Sequence, residues 1–163
     1  MRQNFLQTTR YKLQAKTGFT LIEVLVTVAI IVALSSVVIL SINPGEYLAK
    51  GRDSQRKGDL LTILNAVGQR IADNKGIFET GCAAGAIPAT ATKIAVGAGN
   101  YDAGPCLVPT YFPSMPYDVK ASGAHWTSTA DYDTGYNIVK NATTGRVTVN
   151  APSAELETIS YTR

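Results

Sequence analysis

The chain has 163 residues, 45% of them hydrophobic and 17% charged, with a formal net charge of +3. Arg2, Arg10, Lys12 and Lys16 put four positive charges and no acid into the first eighteen residues, so the rest, with eleven basic and twelve acidic residues, is close to neutral. That balance gives no support to nucleic-acid binding, which needs clustered Lys and Arg on the folded part; the densest cluster, "KGRDSQRK", is broken by Asp53.

From Phe19 to Ile42 the chain holds 24 residues whose single charge is Glu23. As a helix this run spans about 36 Å at 1.5 Å per residue, enough for a bilayer core of about 30 Å. It exceeds the 7 to 15 apolar residues of a secretory signal and precedes no small-residue cleavage site, so it is expected to stay on the protein. The basic residues ahead of it orient it by the positive-inside rule, with residues 1–18 cytoplasmic and the C-terminal bulk outside. A carboxylate inside lipid costs about 2.5 to 3.5 kcal/mol, so Glu23 needs a positive partner or a proton. No Lys or Arg follows until Lys50, and cutting the chain before Phe19 would supply an ammonium one helical turn away.

Pro44 and Gly45 predict a kink or short break. From about 46 to 75 Leu60, Leu64, Val67 and Ile71 recur at helical spacing, with Leu61, Ile63 and Gly68 beside them and Arg56, Lys57, Asp59, Arg70 and Asp73 largely on other faces. "DNKG" predicts a stop with Gly76 as the left-handed cap. Residues 76–116, rich in Gly, Ala, Pro and Thr, read as loop. An antiparallel sheet is expected over about 117–163: Tyr136 to Lys140 and Arg146 to Asn150 form a hairpin around Asn-Ala-Thr-Thr-Gly, and "ETISYTR" supplies a further strand. The fold class is α+β, with the apolar stripe of the long helix covering one face of the sheet.

Cys82 and Cys106 bracket a loop and would join as a disulfide in an extracytoplasmic head; two buried free thiols are the alternative, and one histidine, His125, argues against zinc. "NAT" at 141–143 matches a glycosylation sequon but is explained as turn. Trp126 and the tyrosines read as core and sheet residues. No catalytic constellation is present, so an enzyme is not expected; loss of some activity on mutating His125 or the cysteines would be the contrary sign.

"KTGFTLIEVLV", Lys16 to Val26, resembles the signature shared by type IV pilins and type II secretion pseudopilins: a basic leader ending in Gly, then Phe, and a Glu near the start of a long apolar helix. The resemblance continues through "GRDSQRKGDLLTILNAVGQRIADNKGIF" to about residue 78, whereas the head resembles pilin heads only in its order of loop then antiparallel sheet. It implies a pilin-like fold, cleavage between Gly18 and Phe19 by a prepilin peptidase, N-methylation of Phe19, and assembly in which Glu23 meets the amine of a neighbouring subunit. It implies as partners further copies of the chain in a helical filament, an inner-membrane platform and its ATPase, and the bilayer before assembly. Calcium in pseudopilin heads makes Asp118, Asp131 and Asp133 candidate ligands, against the plainer reading of turn formers; no other cofactor is expected. The pattern departs from the family in having its first proline at Pro44, at the far end of the apolar run. The expected organisation is a removed leader (1–18), a membrane or filament-core helix (19–43) and an extracytoplasmic head (44–163). The expected function is a filament subunit for adhesion, motility, DNA uptake or secretion. The alternative is a membrane-anchored binding module, a DNA-uptake pseudopilin included, that forms no long fibre.

Overall fold

A computed structural model describes residues 18–41 and 43–163, and the chain divides into two units, Met1–Asn43 and Pro44–Arg163. In the first, helix α1 runs over Leu21–Ser41. In the second, α2 (Pro44–Asp73) is followed by β1 (Thr92–Ala95), α3 (Gly104–Leu107), β2 (His125–Ser128), β3 (Asp131–Lys140), β4 (Val147–Ala151) and β5 (Ile159–Thr162). Pro44 opens α2 at the position where its missing N–H would have had no intrahelical partner.

The strands form one antiparallel sheet in the order β1-β3-β4-β5. β2 pairs with the start of β3; Asp133 is the register partner of both Ala95 and His125, so β1 and β2 lie on opposite sides of that strand. The expected hairpin is present as β3 and β4, with Lys140 opposite Val147, and the C-terminal run is β5, whose Ile159 pairs with Ala151. Asn141 closes the hairpin by accepting the N–H groups of Thr143 and Thr144 on its Oδ1, 2.9 Å each. Alternate residues of β4, namely Val147, Val149 and Ala151, turn into the core, where they join Ile138 and Ile159 with Leu60, Ile63 and Val67 of α2. Burying each of the large aliphatics contributes about 1.5 to 3 kcal/mol.

Two expectations change. The stretch 76–116 is not all loop: it contains β1 and α3. β1 exists because Thr92 and Lys93 pair with Ile138 and Asn137, a partnership some 45 residues away that local composition does not announce. The buried face of α2 contains Leu60, Leu64 and Val67 of the expected stripe, but it also extends to residues that hydrophobicity does not mark out. Asp53, Arg56, Leu60, Ile63, Val67 and Arg70, spaced 3, 4, 3, 4 and 3, are all buried, while Leu61 is exposed and Ile71 only partly covered. Two arginines expected on outer faces therefore point inward.

Both are accommodated by acceptors brought from elsewhere. Arg56, 1% exposed, donates from Nε and Nη2 to the two oxygens of Asp118 at 2.8 and 3.0 Å. Its Nη1 donates to Asp53 at 2.7 Å and to Glu155 at 3.0 Å. Arg70 donates to three backbone carbonyls, Phe78 at 2.7 Å, Thr80 at 2.8 Å and Cys106 at 2.8 Å, with its guanidinium 5.3 Å from the Phe78 ring centre. Among the described residues no buried side-chain nitrogen or oxygen lacks a partner.

The end of α2 is a Schellman turn shifted by one residue from the expected cap. Gly76 N donates to Ile71 O at 2.8 Å, which makes Lys75, at φ 56°, the left-handed residue, with Gly76 following at φ 92°. Removing one partner from a buried ion pair leaves the others uncompensated, so Arg56→Ala is expected to destabilise the head by about 3 to 5 kcal/mol. Chemical denaturation followed by tyrosine and tryptophan fluorescence measures this; a loss below about 1 kcal/mol would show that the hub contributes no more than a surface pair.

Candidate functional site

The sequence places its sharpest chemistry at Gly18, Phe19 and Glu23, and the structure sets these around the start of α1. Gly18, Phe19 and Thr20 lie outside the helix. Thr20 is the N-cap: its Oγ1 accepts the N–H of Glu23 at 3.2 Å, and its carbonyl accepts those of Glu23 at 3.1 Å and Val24 at 3.2 Å. Thr20, Leu21, Ile22, Glu23 has the T-x-x-E spacing of a capping box, which accounts for a helix beginning here rather than further into the apolar run. Glu23 is the acidic residue of the first turn, where the positive end of the helix dipole favours a carboxylate.

The Gly18–Phe19 peptide bond therefore precedes the cap and belongs to no helical turn. Phe19 is 82% exposed, and a Cβ added at Gly18 would meet nothing within 4 Å. The described fold thus places no steric demand for glycine at this position. Cutting the bond removes no helical hydrogen bond, because the cap belongs to the C-terminal product.

Beyond the cap α1 has the composition of a spanning helix. Leu21–Ile39 has a mean hydropathy of 2.7, and none of it is buried within the chain. Its 21 residues rise about 31 Å, matching a hydrocarbon core of about 30 Å. The hydroxyls of Thr27 and Ser36 donate back to the carbonyls of Val24 at 2.8 Å and Ala33 at 2.7 Å, so neither carries an unmet donor into an apolar setting.

The other candidates lie in the head. Cys82 and Cys106 are joined as a disulfide with Cα atoms 5.5 Å apart. The three candidate calcium ligands are not brought together: Asp118 is held by Arg56, Asp131 accepts from His125 Nε2 at 3.0 Å, and Asp133 accepts from Lys93 at 2.9 Å and from Gly135 N at 2.8 Å. Among the described residues no group of three His, Cys, Asp or Glu side chains is arranged to hold a metal. The physical reason is charge pairing within the fold, which spacing along the sequence does not reveal. His125 has both ring nitrogens against acceptors, Nδ1 at 2.7 Å from the Gly123 carbonyl and Nε2 facing Asp131, and the Gly123 and Asp131 bonds raise its pKa above the ordinary 6.5.

The feature sequence reasoning missed is a strap over α2. Asp53 accepts the backbone N–H groups of Glu155 and Leu156 at 3.0 and 2.9 Å, Arg52 donates from two nitrogens to Glu155, and Lys57 pairs with Glu157. Burial alone would raise the Asp53 pKa, but the two N–H bonds and Arg56 hold it below its usual value. The available signal was the pairing of "RDSQRK" with "AELE", opposite charges about 100 residues apart.

Compared with known families, residues 13–42 fit the model described as the prokaryotic N-terminal methylation motif. The chain carries the type IV pilin and pseudopilin prepilin motif there. The match spans the Gly18–Phe19 bond, Glu23 and essentially all of α1. Searches of the curated proteins and of the solved structures found no significant match.

The strap yields an acid dependence. Its bonds to Arg52, opposed by partial desolvation and helped by Arg56, lower the Glu155 pKa from 4.5 to about 2. A depressed carboxylate contributes stability above its unfolded value and loses it as pH falls, so the strap should weaken from about pH 4.5 toward pH 2. Melting temperatures measured across that window should fall more steeply for the wild type than for Glu155→Gln; parallel curves would contradict the assignment. Millimolar calcium should leave the melting temperature unchanged at neutral pH, since each of the three aspartates is already engaged by a side chain of the fold, Arg56, His125 or Lys93.

Proposed function

We propose that the chain is a prepilin-type structural subunit, cut between Gly18 and Phe19, N-methylated at Phe19, and assembled with copies of itself into a filament. The observation that carries this reading is the coincidence of the methylation motif with an exposed peptide bond just ahead of a capped apolar helix. A peptidase needs an accessible, non-helical backbone and α1 leaves one; the open space around Gly18 among the described residues supports a reading in which the glycine serves the processing enzyme.

The new amine would lie four residues before Glu23, and charge-assisted bonding between an ammonium and a carboxylate is roughly twice as strong as a neutral hydrogen bond. Within one chain Glu23 sits at the third helical position, already facing the positive helix end. Between chains, the same carboxylate offers an incoming subunit's amine the counter-charge that lipid cannot supply. Moving α1 from lipid into a bundle of like helices exchanges one apolar setting for another, with packing and Glu23 pairing as the net gain.

The disulfide fits a head outside the cytoplasm, where thiols are oxidised, and the basic leader fits a cytoplasmic N-terminus. The partners of this reading are the prepilin peptidase and methyltransferase, and an inner-membrane assembly platform driven by an ATPase.

Mass spectrometry of membrane-extracted protein is expected to find an N-terminus at Phe19 carrying one added methyl group; an intact Met1 terminus in cells with an active prepilin peptidase would overturn the reading. Glu23→Val and Glu23→Gln should be cut and retained in the membrane at near wild-type levels, while the yield of shed filaments falls at least tenfold. Normal filament yield from Glu23→Val would refute the pairing role.

A further inference from the structure

We infer that the head carries a heterologous self-contact, in which Leu156 of one copy seats in a groove at the opposite end of the α2–β5 seam of the next copy. The inference rests on the assembly reading above and adds to it a second surface, on the head.

The knob is Leu156, 47% exposed although its loop is among the most firmly held on the head. Its own N–H and that of Glu155 are bonded to Asp53, and its two neighbours are tied by Arg52, Arg56 and Lys57. A loop fixed in this way has already lost its conformational freedom, so presenting its apolar side chain to a partner costs little further ordering.

The groove lies at the other end. β5 runs beside α2 from Glu157, paired with Lys57, to Arg163, which donates to Asn65 at 3.0 Å. Beside the Arg163 side chain, Leu64, Val67, Ile71 and Val147 line about 250 Å³ of mainly apolar space. Gly68 lets the Arg163 guanidinium lie flat on α2, since a Cβ there would stand 3.1 Å from Arg163 Nη1. The rim is therefore cationic, and the knob is flanked by Glu157, whose side chain is 57% exposed and whose Oε1 alone is taken by Lys57. An aliphatic side chain with a carboxylate at its shoulder complements an aliphatic groove with a guanidinium at its edge.

Knob and groove are different patches on one chain, separated by about 21 Å of α2 between Lys57 and Ile71. A contact between unlike patches does not close a two-fold dimer; repeated, it yields a ring or an open row, and an open row is what a filament requires.

The test introduces Leu156→Cys and Ile71→Cys together in the full chain and oxidises cells or sheared filaments under conditions that leave Cys82–Cys106 intact. The double variant should give a ladder of covalent multimers and each single variant none. In parallel, Leu156→Asp should lower filament yield at least fivefold with normal processing at Phe19 and an unchanged head melting temperature, while Leu156→Met restores it. Filaments that form from the double variant without a ladder overturn the contact while leaving the assembly reading intact. A wild type that is processed but never multimerises overturns both. Co-purification of a lipid in the groove, with filament yield indifferent to Leu156→Asp, assigns the groove to that lipid and likewise overturns the contact.

Discussion

A guanidinium taken out of water must find its hydrogen-bond acceptors inside the protein, and Arg56 finds them on three separate segments. Asp53 is on its own helix, Asp118 comes from the loop before β2, and Glu155 comes from the loop between β4 and β5. The aliphatic contacts of Leu60, Ile63 and Val67 are non-directional and would tolerate small shifts of α2 against the sheet. The Arg56 hub would not, because its oxygens sit at fixed angles around a planar fork. Arg70, fourteen residues later on the same stripe, does the same for the carbonyls of Phe78, Thr80 and Cys106. Two arginines thus set the position of the helix along the sheet, and the apolar core fills the space between them.

The two units follow opposite rules for satisfying their surfaces. The head pairs its buried polar groups internally and keeps its aliphatics inward. α1 does the reverse: the hydroxyls of Thr27 and Ser36 bond back to carbonyls of its own turns, and its apolar Leu21–Ile39 stretch is not buried within the chain. Such a helix is stable only in lipid or among its own kind. Under the proposed function that constraint, together with a cap lying wholly on the C-terminal side of the Gly18–Phe19 bond, would link processing and assembly through one short stretch of sequence.

Legibility followed the range of the interactions. α1 and the β3–β4 hairpin rest on neighbours within a few residues, and apolar length and turn chemistry announce them. The register of β1 rests on β3 some 45 residues away, Arg56 takes acceptors 62 and 99 residues away, and Arg70 reaches Cys106, 36 residues on, besides the nearer Phe78 and Thr80. A helical wheel places an arginine outside because it cannot count the acceptors waiting for it. The aspartate candidates meet partners that spacing does not announce: Asp118 holds Arg56, Asp133 holds Lys93, and Asp131 faces His125 across the β2–β3 pairing. The Gly-Phe-Glu spacing was readable because it belongs to a short continuous motif, matched over residues 13–42, and not to the fold of the head.

The Cys82–Cys106 bridge has a mechanical meaning beyond its place in the loop. Its two residues are 24 apart, so the segment it closes would add about 80 Å of slack if the chain were pulled straight. With the bridge in place a tensile load passes through the sulfur atoms and bypasses that segment. β1, which lies inside the bridged loop, is then shielded from the pull, and the chain would resist lengthening at a point where hydrogen bonds alone would yield first.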